Sequence, residues 1–353
     1  MSNDSDAAIQ SIEWREDHLR ILDQTYLPGR EVYSDIRDVG RIWEAIQKER
    51  IRGASAIGIA AAYGLYLGIK ELPNDSFHSF SIEVKRLSEY LESARPSVRN
   101  LQWSLNRIQK TIQAHEEKEI AEIKDIVLKT AITIDDETKR GCKKIGEYGM
   151  DLIPKKARIL THANTGSLAT GKYGTALSAI FQAHKNNTDL KVWVSETRPL
   201  LQGARLTAWE LKNAEIPMTL ITDSTAGLLM HQKEVDLILV GSDHIAANGD
   251  SAGKVGTYPL AVLAKENNIP FYVAAPFSTI DMELQAGDAF SHEERESEEV
   301  THFEGTEIAP SKVEAYNPAF DITPNKYITA YITEKGIVKP PFEQNFKELL
   351  KRN

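Results

Sequence analysis

The sequence predicts an α/β protein with two domains. Residues 1–125 are expected to form a small N-terminal domain, with a short antiparallel sheet plus helices, and residues 126–353 a doubly wound parallel-sheet domain. Three patterns lead to this prediction. Polar and apolar residues alternate near the start, residues 79–150 have helical periodicity, and after residue 156 short apolar runs take turns with helical segments.

The composition is that of an ordinary globular protein and disfavours several functions. The 353 residues are 41% hydrophobic, and a formal net charge of −9 argues against duplex nucleic acid or an anionic membrane as the main partner. The only cysteine, Cys142, cannot form an intrachain disulfide, so a cytoplasmic protein without a Cys-rich metal site is expected. No signal peptide and no membrane-spanning apolar run are predicted.

The N-terminal domain is predicted from local periodicity. Alternation over residues 9–35 indicates a small antiparallel sheet, and an apolar face over residues 38–49 indicates a helix. Residues 54–69 are apolar and rich in Ala and Gly, which favours a buried helix whose small residues permit close approach of another helix or of a ligand. Further helices are predicted at 80–91, 101–108 and 119–148.

The C-terminal domain is predicted from the alternation of strands and crossover helices. Five strands separated by four helices are typical of a doubly wound parallel sheet. No GxGxxG motif follows the first strand, so a dinucleotide cofactor is not indicated. The predicted strands are 158–160, 190–194, 218–221, 237–240 and 271–274, and the predicted helices are 173–184, 205–213, 224–232 and 255–267.

The stretch 236–258 predicts a functional site. Asp243 follows the apolar strand 237–240, and the carboxyl ends of parallel strands are where α/β sheets bind ligands. A loop of small residues, 246–254, then leads through Lys254 into a helix, and such a helix start can hold an anion with its backbone N–H groups. The expectation is an acid beside a phosphate site.

Several motifs together carry a family resemblance over about residues 10–340. They are RGASAIG at 52–58, SARP at 93–96, NTG at 164–166, ETRP at 196–199 continuing into QGARLTAWEL at 202–211, the stretch 236–258, and NPAFDITP at 317–324. With them the sequence resembles the methylthioribose-1-phosphate isomerase family. That family belongs to a larger group with ribose-1,5-bisphosphate isomerase and the regulatory subunits of translation initiation factor 2B. GARLTAWEL and NPAFD favour the isomerase branch.

The resemblance implies a homodimer with a Rossmann-like C-terminal domain. Such a protein converts an aldose 1-phosphate to a ketose 1-phosphate without a metal or an organic cofactor. Its partner is a small-molecule sugar phosphate, and Asp243 is the implied general acid. The family's second catalytic group is a cysteine where this sequence has Ala163. The residues implied in substrate binding, largely of its phosphate, are Arg52, Gly53, Ala54, Arg95, Gln202, Gly253 and Lys254.

Ala163 is the main departure from the family pattern. Either the natural protein has lost the thiol, or the chain is a variant made to trap substrate; the intact flanking residues favour the second explanation. Impaired turnover is expected in both cases, because alanine has no acid–base group. His162 and His244 are candidate substitutes, although a histidine beside a strand end is more often structural.

Milder departures concern the substrate. They are Ser55, Ser242, His244 and Gly253, where the family usually has Pro, Ala, Arg and Asn. They leave the substituent on C5 of the sugar open, so that 5-deoxyribose 1-phosphate or ribose 1-phosphate is an alternative to methylthioribose 1-phosphate. A non-catalytic sugar-phosphate-binding or regulatory protein is a further alternative.

Overall fold

The N-terminal sheet has the predicted antiparallel form. The structure is a computed structural model that describes residues 9–186, 189–290, 292–303 and 305–351. Leu19 and Ile21 on one face of the sheet are fully buried, whereas Arg20 on the other face pairs with Asp35. The predicted alternation is thus confirmed. The strands are β1 (Ile12–Arg15), β2 (His18–Leu22) and β3 (Tyr33–Ile36).

Five helices follow the small sheet, as the periodicity predicts. The second of them, with its Ala- and Gly-rich sequence, is buried along nearly its whole length. Its Gly58 allows close packing, because a Cβ there would lie 2.8 Å from the carbonyl oxygen of Asn100. The helices are α1 (Val39–Gln47), α2 (Ala54–Ile69), α3 (Phe77–Glu92), α4 (Arg99–Gln113) and α5 (Ile120–Met150).

Helix α5 connects the two parts of the molecule. Its first half packs in the N-terminal core through Ile123, Val127 and Ala131, and its second half reaches the C-terminal core through Ile145. The proposed boundary at residues 125/126 falls inside this helix, and the division remains a prediction. In the described part of the chain, no helix has the length and apolar character needed to cross a membrane.

The chain after α5 alternates between strands and helices, as predicted. In chain order the elements are β4 (Lys156–Thr161), α6 (Ser167–Thr170), α7 (Ala176–Lys185), β5 (Asp189–Ser195), a π-helical turn (Gly203–Thr207), α8 (Ala208–Asn213), β6 (Met218–Ile221), α9 (Thr225–His231), β7 (Leu237–Val240), β8 (His244–Ala246), β9 (Ser251–Lys254), α10 (Thr257–Glu266), β10 (Phe271–Ala274), β11 (Ile280–Asp281), α11 (Glu298–Thr301), β12 (His302–Phe303), β13 (Thr306–Glu307), β14 (Phe320–Thr323), β15 (Ala330–Thr333), β16 (Gly336–Val338) and α12 (Phe342–Lys351).

The main sheet contains the five predicted strands and two others. Its order is β16-β15-β10-β7-β4-β5-β6, and all neighbours pair in parallel except β15 with β16. The six parallel strands have the Rossmann order, because the chain moves outwards from β4 in one direction and then from β7 in the other. The β4–β7 pair is the switch point, beyond whose carboxyl ends ligands bind in such sheets.

A second, smaller sheet replaces the loop expected at 246–254. The order β11-β8-β9-β14 includes a hairpin of β8 and β9, so Lys254 ends a strand. Two helices also begin later than predicted. Tyr173 and Gly174 have φ values of 71° and 87°, and Gly256 has φ of 103°, conformations outside the right-handed helical region. Helices α7 and α10 therefore begin at Ala176 and Thr257.

The packing of α5 on α7 generates a testable prediction. At Gly146 a Cβ would lie 2.9 Å from the carbonyl oxygen of Ser178 on α7, so Gly146→Ala should lower the free energy of unfolding by about 1–3 kcal/mol. At Gly141 of the same helix a Cβ would meet Glu334 at an ordinary 3.5 Å. Gly141→Ala should therefore stabilise the protein by up to about 1 kcal/mol through helix propensity. Urea unfolding measures both, and equal effects would contradict this packing.

Candidate active site

A cavity lies at the switch point of the main sheet. It opens beyond the carboxyl ends of β4 and β7, is covered by the start of α2, and has a volume of about 710 Å³ including its mouth. Among the predicted site residues, those that line the cavity are Arg52, Gly53, Ala54, Arg95, Ala163, Gln202, Asp243 and Lys254.

The start of helix α2 forms one wall of the cavity. Gly53 is the N-cap, with φ of 91°, and a Cβ there would lie 2.6 Å from the backbone of Ala169. No side chain caps this end, and the first backbone bond of the helix runs from Ile57 N to Gly53 O. The preceding amides thus have no partner within the helix, and Ala54 and Ser55 line the cavity. This end of α2 can attract an anion.

Arg52 is held in place by a buried polar chain. Its Nη1 and Nη2 donate to the side-chain and backbone oxygens of Asn164 at 2.5 and 2.9 Å. Asn164 Nδ2 in turn donates to Glu210 Oε1 at 2.7 Å, and Glu210 Oε2 accepts from Ser167 N at 2.6 Å. Burial raises the pKa of Glu210, while the bonds from Asn164 and Ser167 and the charge of Arg52 oppose that rise. The guanidinium position is therefore fixed before any ligand arrives.

Asp243 and Lys254 add an acid and a cation to the same cavity. Burial raises the pKa of the Asp243 carboxyl above its usual range, although Arg95, Arg52 and Lys254 act in the opposite direction. Burial lowers the pKa of Lys254, and the nearby Glu49 opposes that change. A carboxyl whose proton is held more tightly than usual suits the role of a general acid.

Arg95 is paired with two carboxylates. Its Nη1 lies 3.1 Å from Glu49 Oε1, and its Nη2 lies 3.1 Å from Glu293 Oε1. Ser97 Oγ also donates to Glu293. Arg295 joins this cluster, 3.8 Å from Glu49 and 3.6 Å from Glu293. The arginine assigned to phosphate thus has internal anionic partners in this structure.

Position 163 is held in an unusual backbone conformation. Ala163 has φ of 59°, in the left-handed region that residues other than glycine rarely adopt. Its N–H donates to Thr197 Oγ1 at 2.9 Å, and its carbonyl accepts from Thr207 Oγ1 at 2.6 Å. Thr207 ends the π-helical turn that precedes α8, and both threonines are fully buried. Two hydroxyls therefore fix the backbone of this residue at the edge of the cavity.

The prediction that the backbone amides at the start of α10 hold a ligand anion is wrong. The backbone N–H groups of Gly256 and Tyr258 donate to the Asp321 carboxylate at 2.6 and 3.0 Å, so this helix end already has an internal anion. Burial raises the pKa of Asp321 to about 6, although these hydrogen bonds act to lower it. Gly253 pairs with Asp321 across β9 and β14 and is not among the lining residues of the cavity. Its assignment to substrate binding remains a prediction.

The two histidines that flank the site have different positions. His162 lines the cavity, and its Nε2–H donates to Val255 O at 2.9 Å. Burial lowers its pKa, which favours the neutral ring. His244 faces away towards Asp281, with 3.3 Å between Nε2 and Oδ2, and is not among the lining residues.

The acidic partners of Arg95 were missed by sequence reasoning. Glu49 lies three residues before Arg52, the first residue of the RGASAIG motif, and Glu293 and Arg295 belong to a charged stretch at 292–299. The only feature of the stretch 292–299 that the sequence shows is its high charge density. That feature does not distinguish a solvated loop from one that packs beside a cavity. Within the residues that the structure describes, no group of three His, Cys, Asp or Glu side chains is arranged to hold a metal ion.

The fold and the cavity define a class of protein: an α/β protein of Rossmann order whose switch-point cavity is lined by cationic side chains and an acid. The sequence matches the initiation factor 2 subunit family over residues 50–340. A 5-deoxyribose 1-phosphate isomerase from Moorella thermoacetica is 48% identical over 342 residues, 97% of each chain. A methylthioribose-1-phosphate isomerase from Geobacter sp. (strain M21) is 48% identical over 97% of this chain and 99% of its own.

A solved structure agrees with these sequence relatives. The crystal structure of 5-methylthioribose 1-phosphate isomerase from Pyrococcus horikoshii OT3 is similar with a TM-score of 0.88 at 42% identity, and the match covers 98% of this chain and 96% of that one. The chain therefore belongs to the initiation factor 2 subunit family, and within it to the isomerases.

The charge cluster at the cavity predicts the acid stability of the protein. Burial alone would raise the pKa of Glu49, but Arg95 and Arg295 lower it from 4.5 to about 2. The ionised carboxylate hence stabilises the fold above pH 4.5, and this contribution is lost as the pH falls towards 2. Urea unfolding between about pH 5 and 3 should show a shallower pH dependence for Glu49→Gln than for the wild type.

The control for this measurement is Glu31→Gln, which removes an exposed carboxylate. If the Glu49→Gln variant loses stability towards acid as steeply as the wild type does, Glu49 is not held ionised by its arginine partners.

Proposed function

We propose that the protein is an aldose–ketose isomerase acting on a pentose 1-phosphate, and that 5-methylthioribose 1-phosphate, converted to 5-methylthioribulose 1-phosphate, is its substrate. The observation that carries this proposal is the meeting of Asp243 with Arg52, Lys254 and the start of α2 around one cavity. The names of the relatives from Geobacter and Pyrococcus horikoshii support the substrate.

The phosphate is the group that the cationic wall of the cavity would bind. Arg52 is fixed by Asn164, Lys254 is buried at the end of β9, and Ala54 and Ser55 at the start of α2 line the same space. Guanidinium and backbone N–H groups together suit the several oxygens of a phosphate monoester. Anchoring it fixes C1 and C2 of the sugar relative to Asp243, which supplies the orientation that the reaction needs.

Asp243 would start the reaction by opening the sugar ring. Phosphate on C1 prevents the spontaneous opening available to a free sugar, so the ring oxygen has to be protonated while the C1–O4 bond breaks. The protonated carboxyl gives that proton, and the raised pKa keeps it available at a higher pH than usual. A hydrogen then moves from C2 to C1, and the proton of the C2 hydroxyl is released, which restores the acid overall.

Position 163 is where the second catalytic group would act. A thiolate there could take the proton from C2, or a thiol could assist a hydride shift between C2 and C1. The side chain of Ala163 can do neither, although Thr197 and Thr207 still hold its backbone at the cavity. We therefore expect the chain as written to bind the sugar phosphate and to turn it over very slowly.

A second candidate substrate is 5-deoxyribose 1-phosphate. The relative from Moorella thermoacetica that has this name is as similar to the chain as the Geobacter protein, at 48% identity. Both sugars carry the same phosphate and the same reacting carbons and differ at C5, so the mechanism above applies to each. A sugar-phosphate sensor without catalysis is the alternative that Ala163 supports.

The proposal also includes a homodimer in the cytoplasm. The homodimer comes from the family resemblance, and the cytoplasmic location comes from the single cysteine, which agrees with a reducing compartment. Light scattering of the purified protein should give about twice the chain mass of 39.5 kDa.

The first test is Ala163→Cys. We expect the substitution to raise kcat at least about a hundredfold with one of the sugar 1-phosphates, because it supplies the missing acid–base group. Ribose, 5-deoxyribose and methylthioribose 1-phosphates are compared by NMR of the products. Ala163→Ser is the control, because it adds a polar atom with much weaker acidity. High activity of the Ala163 protein, or none after Ala163→Cys, would contradict the proposed role.

The second test addresses Asp243 in the Ala163→Cys protein. Asp243→Asn should abolish turnover and spare binding, because the amide has the shape of the acid and no proton to give. With Asp243 intact, kcat should fall as the pH rises through its raised pKa, since the protonated form is the active one. An unchanged kcat in Asp243→Asn would remove this residue from the mechanism.

A further inference from the structure

The proposed phosphate site lies next to a carboxylate of the protein itself, that of Glu49. Glu49 lies between α1 and α2, and its φ of 54° is a left-handed conformation that is unusual for a glutamate. This backbone brings its carboxylate to Arg95 and Arg295, with 3.1 and 3.8 Å between the closest atoms. Gln202 Nε2 donates to the second carboxylate oxygen at 3.4 Å. The side chain is only 13% exposed.

The partners of Glu49 include the groups that are assigned to the phosphate. Arg95 and Gln202 line the active-site cavity, and the charges of Lys254 and Arg52 also act on the Glu49 carboxylate. Arg95 keeps a second carboxylate, Glu293, on its other side, so it would stay anchored without Glu49. A carboxylate and a phosphate are competing ligands for the same guanidinium donors.

We propose that Glu49 is an internal counter-ion of the phosphate site, which the phosphate of the substrate displaces from Arg95. The inference rests on the proposed function and adds a residue that controls which anions the site accepts. A phosphate dianion has more charge and more acceptor oxygens than a carboxylate, so it can replace Glu49. A monoanion offers no such advantage, and Glu49 therefore makes the site selective for phosphate esters over common monoanions.

The structure provides space for the displaced side chain. A second cavity, of about 1620 Å³ with its open mouth, lies on the far side of Glu49. Glu49, Arg52, Gln202 and Arg295 line it, and Arg52 and Gln202 also line the first cavity. Glu49 can turn from Arg95 into this space and keep Arg295 as its partner, so its charge need not be left unpaired.

The inference is tested by titrating the intact protein with inorganic phosphate in a calorimeter at low ionic strength. Glu49→Gln keeps the shape of the side chain and removes its charge, so phosphate should bind about tenfold more tightly or better. Glu49→Asp keeps the charge, so its affinity for phosphate should remain close to that of the wild type. Glu44→Gln is the matched control, because it removes a glutamate charge at an exposed position on α1 where Lys48 is the partner. Its affinity should not change.

The selectivity is tested with nitrate as a monoanion. Glu49→Gln should bind nitrate measurably and reduce the preference for phosphate. Weaker or unchanged phosphate binding in Glu49→Gln would overturn the inference, because Glu49 would then support the arginines rather than compete with the ligand. Circular dichroism shows whether the variant is folded, and Glu293→Gln provides a second removal of a carboxylate from Arg95 if it is not.

Arg52→Gln separates this inference from the proposed function. If Arg52→Gln loses phosphate binding and Glu49→Gln does not bind phosphate more tightly, the counter-ion role of Glu49 is refuted while the phosphate site stands. Unchanged binding in Arg52→Gln would instead refute the phosphate site itself.

Discussion

The buried chain from Arg52 through Asn164 to Glu210 is the interaction on which the site depends. It links the start of α2 to the end of β4 and to α8, so the helical N-terminal part and the parallel sheet meet at one set of hydrogen bonds. A guanidinium and a carboxylate buried without partners would each cost several kcal/mol, roughly, and Asn164 satisfies both. Arg52 and Asn164 line the cavity, so the same hydrogen-bonded chain holds one of its cations in place.

Carboxylates partly neutralise the cations near the cavity before a ligand binds. Arg52, Arg95, Lys254 and Arg295 are accompanied by Glu49, Glu293 and Glu299, and these carboxylates let four cations lie close together at the edge of a protein core. Stability and affinity then oppose each other, because a carboxylate that stabilises the empty site competes with the phosphate. Such opposition is common where a binding site has to retain charge.

The backbone at position 163 is held by hydrogen bonds to its main-chain atoms. Its left-handed conformation depends on hydroxyls from Thr197 and Thr207, which bond to the main chain, and these contacts are present with alanine. The site therefore has the scaffold for a second catalytic group without the group. This makes position 163 suited to a reversion experiment, since the new side chain enters a conformation that is already in place.

Local pattern in the sequence determined the elements of the fold, and the tertiary structure decided how the charges pair. Strands and helices follow from windows of a few residues, so the small sheet, α1–α5 and five strands of the main sheet were predictable. The family resemblance carried by the motifs pointed to eight of the residues that line the cavity. Arg95 and Glu293 are 198 residues apart, and no short window relates them. The same holds for Asp321, whose carboxylate occupies the end of α10 that had been expected to bind an anion. The periodicity of apolar residues indicates which side of a helix or strand faces a core. The partner of a buried charge is instead determined by the three-dimensional path of the whole chain.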